Sequence, residues 1–399
     1  MSSVAILHAL WAVVGCIAGI VAFPGSIELL LVTFGALLPP SKKRAGVRKG
    51  FRLAAVVPAH NEERSIAGCL STVFEAQRSD LDLDVFVVAD NCSDHTAEVA
   101  RHGGAQVLVR HDEVHRGKGY ALDYAFTRLL TEGYDGFVII DADTYVEPNL
   151  FQEVATALSG GADAVQCRYL VRNSSDSTRT RLMSIALMAF NVVRPRGRTR
   201  LGLSAGICGN GFGLSADTLR AVPYVAASVV EDLEYHLLLV RSGRRVQFLD
   251  RTAVYGEIPA GGKGVETQRS RWEGGRFRML ATEGPRLGHE VLGGKFRMLE
   301  PLLELLLLPL AFHVPLLLLA VAVPFIPARI LGIFGLSLVF MHLATAAVIG
   351  KAGARDLMAL TMAPFYILWK LLLIPKLLRN AGAHTSWVRT ERVPERRPR

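Results

Sequence analysis

Apolar and polar positions alternate along the middle of the chain in segments whose lengths suit strands and helices. Short runs rich in Val and Ile are typical of strands that are covered on both faces, and amphipathic segments lie between them. The predicted strands span residues 51–60, 84–90, 106–109 and 136–143, and the predicted helices span residues 65–77, 94–103 and 119–130. This alternation predicts an α/β domain with a mostly parallel sheet over residues 51–260.

The two ends of the chain are strongly apolar. Between Val4 and Leu38 the only ionisable residues are His8 and Glu28, and a bilayer requires about 20 apolar residues for one crossing. Pro24 interrupts this segment, which favours one kinked spanning helix over a hairpin. Three further apolar stretches occupy residues 301–325, 330–350 and 357–378. We expect two of them to cross and the third, which contains lysines, to lie along the membrane interface.

Composition and charge agree with a membrane protein whose central domain faces the cytoplasm. The chain is 50% hydrophobic, has a mean hydropathy of +0.30 and carries a net charge of +9. Basic residues mark the cytoplasmic side of membrane segments and attract anionic lipid. They cluster at Lys42, Lys43, Arg44, Arg48 and Lys49, and again at Arg389, Arg392, Arg396, Arg397 and Arg399. Localisation is therefore expected at the inner (cytoplasmic) membrane, in a multi-pass arrangement.

Other function classes lack their usual signals. A nucleic-acid-binding protein needs a basic stripe with aromatic platforms, and the sequence has none. The five cysteines have no C-x-x-C spacing, so we expect reduced thiols and no zinc site. No motif identifies a partner protein for export.

Polar clusters follow three of the predicted strands. His60 and Glu62 follow the first strand, Asp90 ends the second, and Asp141 and Asp143 end the fourth. Because the carboxyl ends of parallel strands meet at one edge, we expect an acidic pocket that suits a nucleotide chelated to a divalent cation. Taken alone, the D-x-D pair fits an Asp-rich turn before a helix equally well.

Three later segments add candidate binding groups, each with a simpler structural alternative. Lys118, in R-G-K-G, offers a cation beside flexible glycines, although a solvated turn also fits. The pair at 231–232 opens a predicted helix, where acidic residues are favoured by the dipole alone. Gln268, Arg271 and Trp272 share one helical face that suits a diphosphate and a sugar, or a membrane surface.

Taken in order, four motifs resemble the D, DxD, TED and QxxRW series of membrane-bound family-2 glycosyltransferases. That family includes cellulose, hyaluronan and poly-N-acetylglucosamine synthases. The matching residues are Asp90, Asp141-Ala142-Asp143, Glu231-Asp232 and Gln268-Arg269-Ser270-Arg271-Trp272. The resemblance covers residues 51–282, and Val230 departs from it by replacing the Thr of TED.

The resemblance implies a GT-A fold, a Rossmann-like nucleotide-diphospho-sugar transferase domain, flanked by transmembrane helices. It also implies a nucleotide-sugar donor, most often UDP-linked, with Mg²⁺ or Mn²⁺ as cofactor. Asp232 would be the general base and Asp143 the metal ligand. The donor would contact Pro58, Ala59, His60, Glu62, Asp90, Lys118 and Asp141. The acceptor and diphosphate would contact Gly209, Asn210, Gly211, Glu231, Gln268, Arg271 and Trp272.

The expected organisation and function follow from this resemblance. The domains are an N-terminal transmembrane segment (1–39), a basic linker (40–50), the GT-A domain (51–260), QxxRW and interfacial helices (261–300), membrane helices (301–378) and a basic cytoplasmic tail (379–399). The expected activity is inverting sugar transfer to a growing exopolysaccharide. A single transfer to a membrane lipid, as in ceramide glucosyltransferases, is the alternative. A nucleotidyltransferase would not need QxxRW, and a non-catalytic scaffold would not need every acidic residue.

Overall fold

The structure is a computed structural model that describes residues 3–40, 46–76, 81–225, 228, 230–259 and 263–375, without the side chains of residues 3–7 and 263–271. The basic residues at 42–44 and the arginine-rich tail lie outside this description. The chain divides into two compact units. The sheet unit contains described residues 39–174 and 199–259, and the helical unit contains described residues 3–38, 175–198 and 263–375. Residues 175–198 thus group with the apolar helices.

An eight-stranded sheet forms the centre of the sheet unit, in the order β3-β2-β1-β4-β7-β6-β8-β5. The strands are β1 (Arg52–Ala59), β2 (Asp82–Asp90), β3 (Gln106–Arg110), β4 (Gly136–Ile139), β5 (Tyr145–Val146), β6 (Ala164–Val171), β7 (Phe212–Ser215) and β8 (Val246–Gly256). The pairs within β1 to β4 are parallel, as the sequence predicts. The short strand β7 runs antiparallel to both of its neighbours, so the sheet is mixed.

Helices connect these strands in the α/β pattern that the sequence predicts. Those of the sheet unit are α2 (Ile66–Glu75), α3 (Thr96–His102), α4 (Lys118–Leu129), α5 (Leu150–Ser159), α8 (Ala216–Ala221) and α9 (Glu231–Arg241). The core between helices and sheet is apolar: Val57, Val138 and Phe151 are fully buried in one cluster. Burial on this scale stabilises the sheet by about 25 cal/mol for each Å² of apolar surface removed from water.

The helical unit begins with α1 (Ser3–Leu37), which continues through Pro24 as one helix, so a hairpin is not formed. The remaining helices are α6 (Thr178–Met188), α7 (Arg194–Arg200, its first five residues in this unit), α10 (Lys263–Leu292), α11 (Leu299–Leu306), α12 (Leu310–Ala322), α13 (Ile326–Ile349), α14 (Ala354–Ala359) and α15 (Ala363–Leu372). A π-helical turn, Ala189–Val193, joins α6 to α7.

Two helices in the described part of the chain are long and apolar enough to cross a membrane. They are His8–Leu37 within α1 and Ile326–Ile349, which is α13. A third span is possible by length and composition if Phe296–Leu306 and Leu310–Ala322 form one crossing, although they are bent by 84°. The third C-terminal stretch, predicted to lie along the interface, contains only short helices where it is described.

Candidate active site

The carboxyl ends of β1, β2 and β4 lie at one edge of the sheet because these strands are adjacent and parallel. His60 Nδ1 lies 2.7 Å from the Asp90 carbonyl oxygen, which links the loops after β1 and β2. The Asn61 side chain accepts a hydrogen bond of 2.7 Å from the Ser93 amide, which links them again. The prediction that these polar clusters share one edge is therefore confirmed.

Two asparagines turn the chain at this edge. Asn61 and Asn91 adopt positive φ angles of 56° and 50°, a left-handed conformation that Asn tolerates better than most residues. The Asn91 side chain accepts from the Asp112 amide at 2.8 Å and donates to the Asp112 carbonyl at 3.0 Å. These bonds fix the loop after β2 to the segment that follows β3.

Asp90 is held by an arginine that sequence analysis did not identify. Arg110 Nη1 donates to Asp90 Oδ1 at 2.7 Å, and both side chains are less than a tenth exposed. Burial raises the pKa of Asp90, and the charge and hydrogen bond of Arg110 partly offset this. The only sequence signal for Arg110 was a single basic residue closing the apolar run Q-V-L-V. The ion pair with Arg110 holds the Asp90 side chain at the carboxyl edge of the sheet.

Lys118 bridges two of the segments that line the edge. It is the first residue of α4, and Gly117 before it has a φ of 129°, which favours glycine. The Lys118 ammonium donates to Asp141 Oδ1 and to the Gly209 carbonyl oxygen. Burial lowers the pKa of Lys118, but Asp141, Glu231 and Asp232 together raise it above its ordinary value. Lys118 therefore stays charged among these acidic residues.

Asn210 makes side-chain hydrogen bonds to the D-A-D turn and to Thr144, the residue that follows it. Its side chain accepts from the Asp141 amide at 3.1 Å and donates to Thr144 Oγ1 at 2.8 Å. Asn210 is only 1% exposed, and Gln166 Nε2 donates to its carbonyl oxygen at 2.8 Å. Its side-chain amide therefore positions Asp141.

Asp232 lies in the first turn of α9, beside Glu231. A Cβ atom built on Gly209 would lie 3.2 Å from Asp232 Oδ2, so the glycine backbone passes close to this carboxylate. Burial and the neighbouring Glu231 raise the pKa of Asp232 to about 7, although Lys118 opposes the shift. A carboxylate with a pKa near 7 is suited to accept a proton at physiological pH.

Asp141 and Asp143 are both partly accessible and follow β4. Within the described residues no three His, Cys, Asp or Glu side chains converge as a preformed metal site. Mg²⁺ is commonly held by one or two carboxylates together with substrate phosphates, and a pair of Asp side chains fits that requirement. Burial and then the charges of Asp143 and Asp141 raise the pKa of Tyr169. Both carboxylates therefore lie close enough to the Tyr169 hydroxyl to act on it electrostatically. The donor set therefore fits a divalent cation brought with a diphosphate.

The remaining predicted residues divide between the two units. Pro58, Ala59, Glu62 and Gly211 lie in the sheet unit, where the Glu62 amide donates to Thr96 Oγ1 at 2.7 Å. Gln268, Arg271 and Trp272 lie on α10 in the helical unit. The side chains of the first two are outside the described residues, and Trp272 is partly buried.

Fold and site together define a class of protein. A mixed α/β sheet of GT-A type, with carboxylates at the ends of its parallel strands, is the architecture of nucleotide-sugar transferases. The sequence model of a family described as "Glycosyltransferase like family 2" matches residues 51–275, more than half of the chain. The chain therefore belongs to this glycosyltransferase family.

Individual relatives are distant. "Probable glycosyltransferase YdaM" of Bacillus subtilis is 24% identical over 253 residues, which cover 61% of this chain and 59% of the relative. "Hyaluronan synthase" of Streptococcus pyogenes is 29% identical over 159 residues, 36% of each chain. The chain thus matches less than two thirds of the length of these relatives.

A solved structure shares the fold. It is a "Mannosyltransferase PcManGT from Pyrobaculum calidifontis in complex with GDP-Man and Mn2+". It is 16% identical, with a TM-score of 0.50, and the match covers 85% of this chain and 98% of that one. The expected fold class is confirmed.

Proposed function

We propose that this protein is an inverting, metal-dependent glycosyltransferase that moves a sugar from a UDP-sugar to a growing polysaccharide at the cytoplasmic face of the membrane. The observation that carries the proposal is the bridge made by Lys118. Its ammonium joins Asp141 to the Gly209 carbonyl, and the Gly209 backbone borders Asp232. A donor-binding carboxylate and a carboxylate suited to base catalysis thus share one edge of the sheet.

The donor would lie across the ends of β1, β2 and β4. Arg110 and Asn91 both donate hydrogen bonds to Oδ1 of Asp90, so Oδ2 is the atom we assign to the nucleoside. The segment Pro58–Glu62 would close the other side of the nucleoside. Lys118 and Asp141 would orient the donor sugar and its diphosphate. Bidentate and charge-assisted bonds of this kind give both affinity and orientation.

Asp143 would hold the divalent cation, with Asp141 beside it. When bound, Mg²⁺ or Mn²⁺ supplies charge neutralisation for the diphosphate that leaves the sugar. The mannosyltransferase of the same fold was solved with GDP-Man and Mn²⁺, which supports this assignment by fold only.

Asp232 would be the general base. The acceptor hydroxyl loses its proton to the Asp232 carboxylate while its oxygen forms a bond to the anomeric carbon. The bond from that carbon to the phosphate oxygen breaks, and the nucleoside diphosphate leaves with the electron pair. Attack opposite the leaving group inverts the anomeric centre, so an α-linked donor gives a β-linked product.

The acceptor would approach along Gly209–Gly211 and Glu231. We also assign Gln268, Arg271 and Trp272 to the diphosphate and the acceptor sugar, as the family resemblance implies. The candidate spans α1 and α13 support membrane association, and the basic segment before β1 supports a cytoplasmic orientation. The similarity to a hyaluronan synthase supports a polymeric product.

The test is nucleoside diphosphate release by the detergent-purified protein with a panel of UDP- and GDP-sugars and Mn²⁺ or Mg²⁺, with the product sized in parallel. Release with one UDP-sugar and a long product is the expected result. If the product is a lipid that carries one added sugar, the activity is the alternative, a single transfer to a membrane lipid, and not polymerisation. No release with any donor, with membrane lipids present, would contradict the proposal.

A further inference from the structure

A group of buried charges lies in the helical unit, in which the candidate membrane spans also lie. Arg198 is 2% exposed. Its Nε and Nη2 atoms donate to Glu28 Oε1 at 3.0 and 2.5 Å, and its Nη1 lies 2.7 Å from Glu304 Oε2. A Cβ atom on Gly197 would lie 2.0 Å from the Val32 carbonyl oxygen, so α7 touches the backbone of α1. This close contact fixes Arg198 in place, and Arg198 in turn engages both glutamates.

Arg194 lies one helical turn before Arg198 and has no comparable partner. It is 6% exposed, and its Nε forms no hydrogen bond to any part of the chain that the structure describes. Its guanidinium lies 4.7 Å from the centre of the Phe190 ring, a cation–π contact. An aromatic face does not replace a hydrogen-bond acceptor, so the buried Nε–H of Arg194 stays unsatisfied within the described residues. Arg194 is therefore a buried cation that no carboxylate among the described residues contacts directly.

Arg194 lies among other charged side chains of the helical unit. Arg276 and Arg198 repel it, while Glu28 and Glu304 attract it. Both glutamates already contact Arg198, and Arg276 Nη2 donates to the carbonyl oxygens of Glu304 and Leu307. Burial and this repulsion lower the pKa of Arg194 to about 9. A buried charge without a partner is costly, and in membrane proteins such a charge commonly marks a functional site.

The backbone at this point is also unusual. The π-helical turn Ala189–Val193 directly precedes Arg194, and π-helical turns are frequent at functional sites. Ala189 and Val193 pack in one buried cluster with Ala36 of α1 and Ala346 of α13. Phe190, on the same turn, is 39% exposed. The turn thus packs against both candidate spans, and the ring that carries the guanidinium reaches the surface of the unit.

We propose that Arg194, near Arg198 and Arg276, forms a binding site for a phosphate group carried by a membrane lipid. A guanidinium binds phosphate through parallel charge-assisted hydrogen bonds, and a phosphate would supply an acceptor for the Nε–H of Arg194. The apolar helices around the site favour a phosphate attached to a hydrocarbon chain over a free one. The site is independent of the proposed transfer reaction.

The experiment compares Arg194→Gln with Arg286→Gln in the full chain. Arg286 belongs to the same unit, is 71% exposed in its side chain and pairs with Glu283, so it is the matched control. Dissociation constants are measured in detergent for dihexanoyl phosphatidic acid, for inorganic phosphate and for dihexanoylglycerol, which lacks the phosphate. We expect Arg194→Gln to weaken phosphatidic acid binding by about tenfold or more, and the control to bind normally.

The outcomes separate the sources of phosphate. Binding of phosphatidic acid far above inorganic phosphate, with loss only in Arg194→Gln, supports the lipid site. Equal binding of inorganic phosphate and phosphatidic acid, again lost in Arg194→Gln, supports a site for free phosphate and overturns the lipid assignment. Binding that is unchanged in Arg194→Gln overturns the site altogether.

Thermal stability distinguishes a binding role from a packing role. If Arg194 awaits an anion, removing its charge should leave the melting temperature of the delipidated protein unchanged or higher, because an unpaired buried cation is removed. Addition of phosphatidic acid should then stabilise the unsubstituted protein and Arg286→Gln, but not Arg194→Gln. A lower melting temperature for delipidated Arg194→Gln would assign the residue to packing and contradict the proposal. Arg194→Lys, which keeps the charge, should retain part of the binding.

Discussion

Lys118 and Asp141 form an ion pair that joins the start of α4 to the end of β4, 23 residues apart. The positive charge of the lysine also favours the ionised form of Asp232, so it partly offsets the rise in the pKa of Asp232 that burial and Glu231 cause. One ammonium group therefore influences both the carboxylate that we assign to the donor and the carboxylate that we assign to the base.

Replacing Lys118 by Met should move the acidic limb of the pH–rate profile to higher pH. Burial and Glu231 raise the pKa of Asp232 to about 7, and Lys118 opposes that shift, so loss of the lysine raises this pKa further. The base then becomes ionised only at higher pH. The measurement is the pH dependence of kcat/KM for nucleoside diphosphate release. Lys49→Met, an exposed substitution, is the control and should leave the profile unchanged.

Replacing Asp232 by Asn should reduce transfer by about 10² to 10⁴, because a general base contributes on that scale. Donor affinity, measured by calorimetry with Mn²⁺, should change little because Asp232 acts on the acceptor. Normal turnover by this variant would exclude Asp232 as the base.

The same substitution should stabilise the protein at high pH. The pKa of Asp232 is raised from 3.8 to about 7, so the folded state binds the proton more tightly and loses stability as pH rises between these values. Asn has no proton to lose. Asp232→Asn should therefore melt higher than the unsubstituted protein at pH 8, and the difference should vanish near pH 4. Equal melting temperatures at pH 8 would indicate that Asp232 is not desolvated in solution.

Replacing Asp143 by Ala should weaken metal-dependent donor binding by about tenfold or more, since removing one of two carboxylates leaves the cation with few protein ligands. Chelation of the metal with EDTA should weaken donor binding in the unsubstituted protein to a similar extent and should have little further effect on the variant. Asp217→Ala is the control, because the Asp217 side chain is 85% exposed and pairs with Arg220 on the same short helix, α8. Donor affinity in Asp143→Ala that still responds fully to Mn²⁺ would contradict the metal assignment.

Replacing Gly211 by Ala should destabilise the sheet unit by more than a change of backbone conformation alone explains. Gly211 has a φ of 65°, and an added Cβ would lie 2.4 Å from Cys167 Sγ and 2.7 Å from a Val254 methyl group. Overpacking of this kind costs about 1–3 kcal/mol in addition to the conformational strain.

Gly202 provides the matched control for Gly211. It has a φ of 76°, and no atom lies within 4 Å of an added Cβ. Gly202→Ala should therefore lower the melting temperature less than Gly211→Ala. Equal losses would mean that the backbone angle, and not the contact with Cys167, limits this position.

Much of the fold and part of the site were predictable from local sequence. The Val- and Ile-rich run that leads into Asp141 predicts a buried strand, because burial on both faces requires continuous apolar residues. Parallel order then places Asp90 and Asp141 at one edge. The antiparallel strand β7 was not predictable, since it has only four residues and its partners β4 and β6 are set by pairing, not by periodicity.

The sequence by itself determined the strands β1 to β4, the helices α2 to α4 and the apolar ends, because hydrophobic periodicity reports directly on burial. Only the tertiary structure decided that Arg110 holds Asp90, that Lys118 bridges Asp141 to Gly209, and that Arg194 is buried without a carboxylate partner among the described residues. The first two relationships join residues 20, 23 and 91 positions apart, and the third depends on the packing of several helices. No local pattern encodes such distances, since they arise from the order of the strands and the packing of the helices.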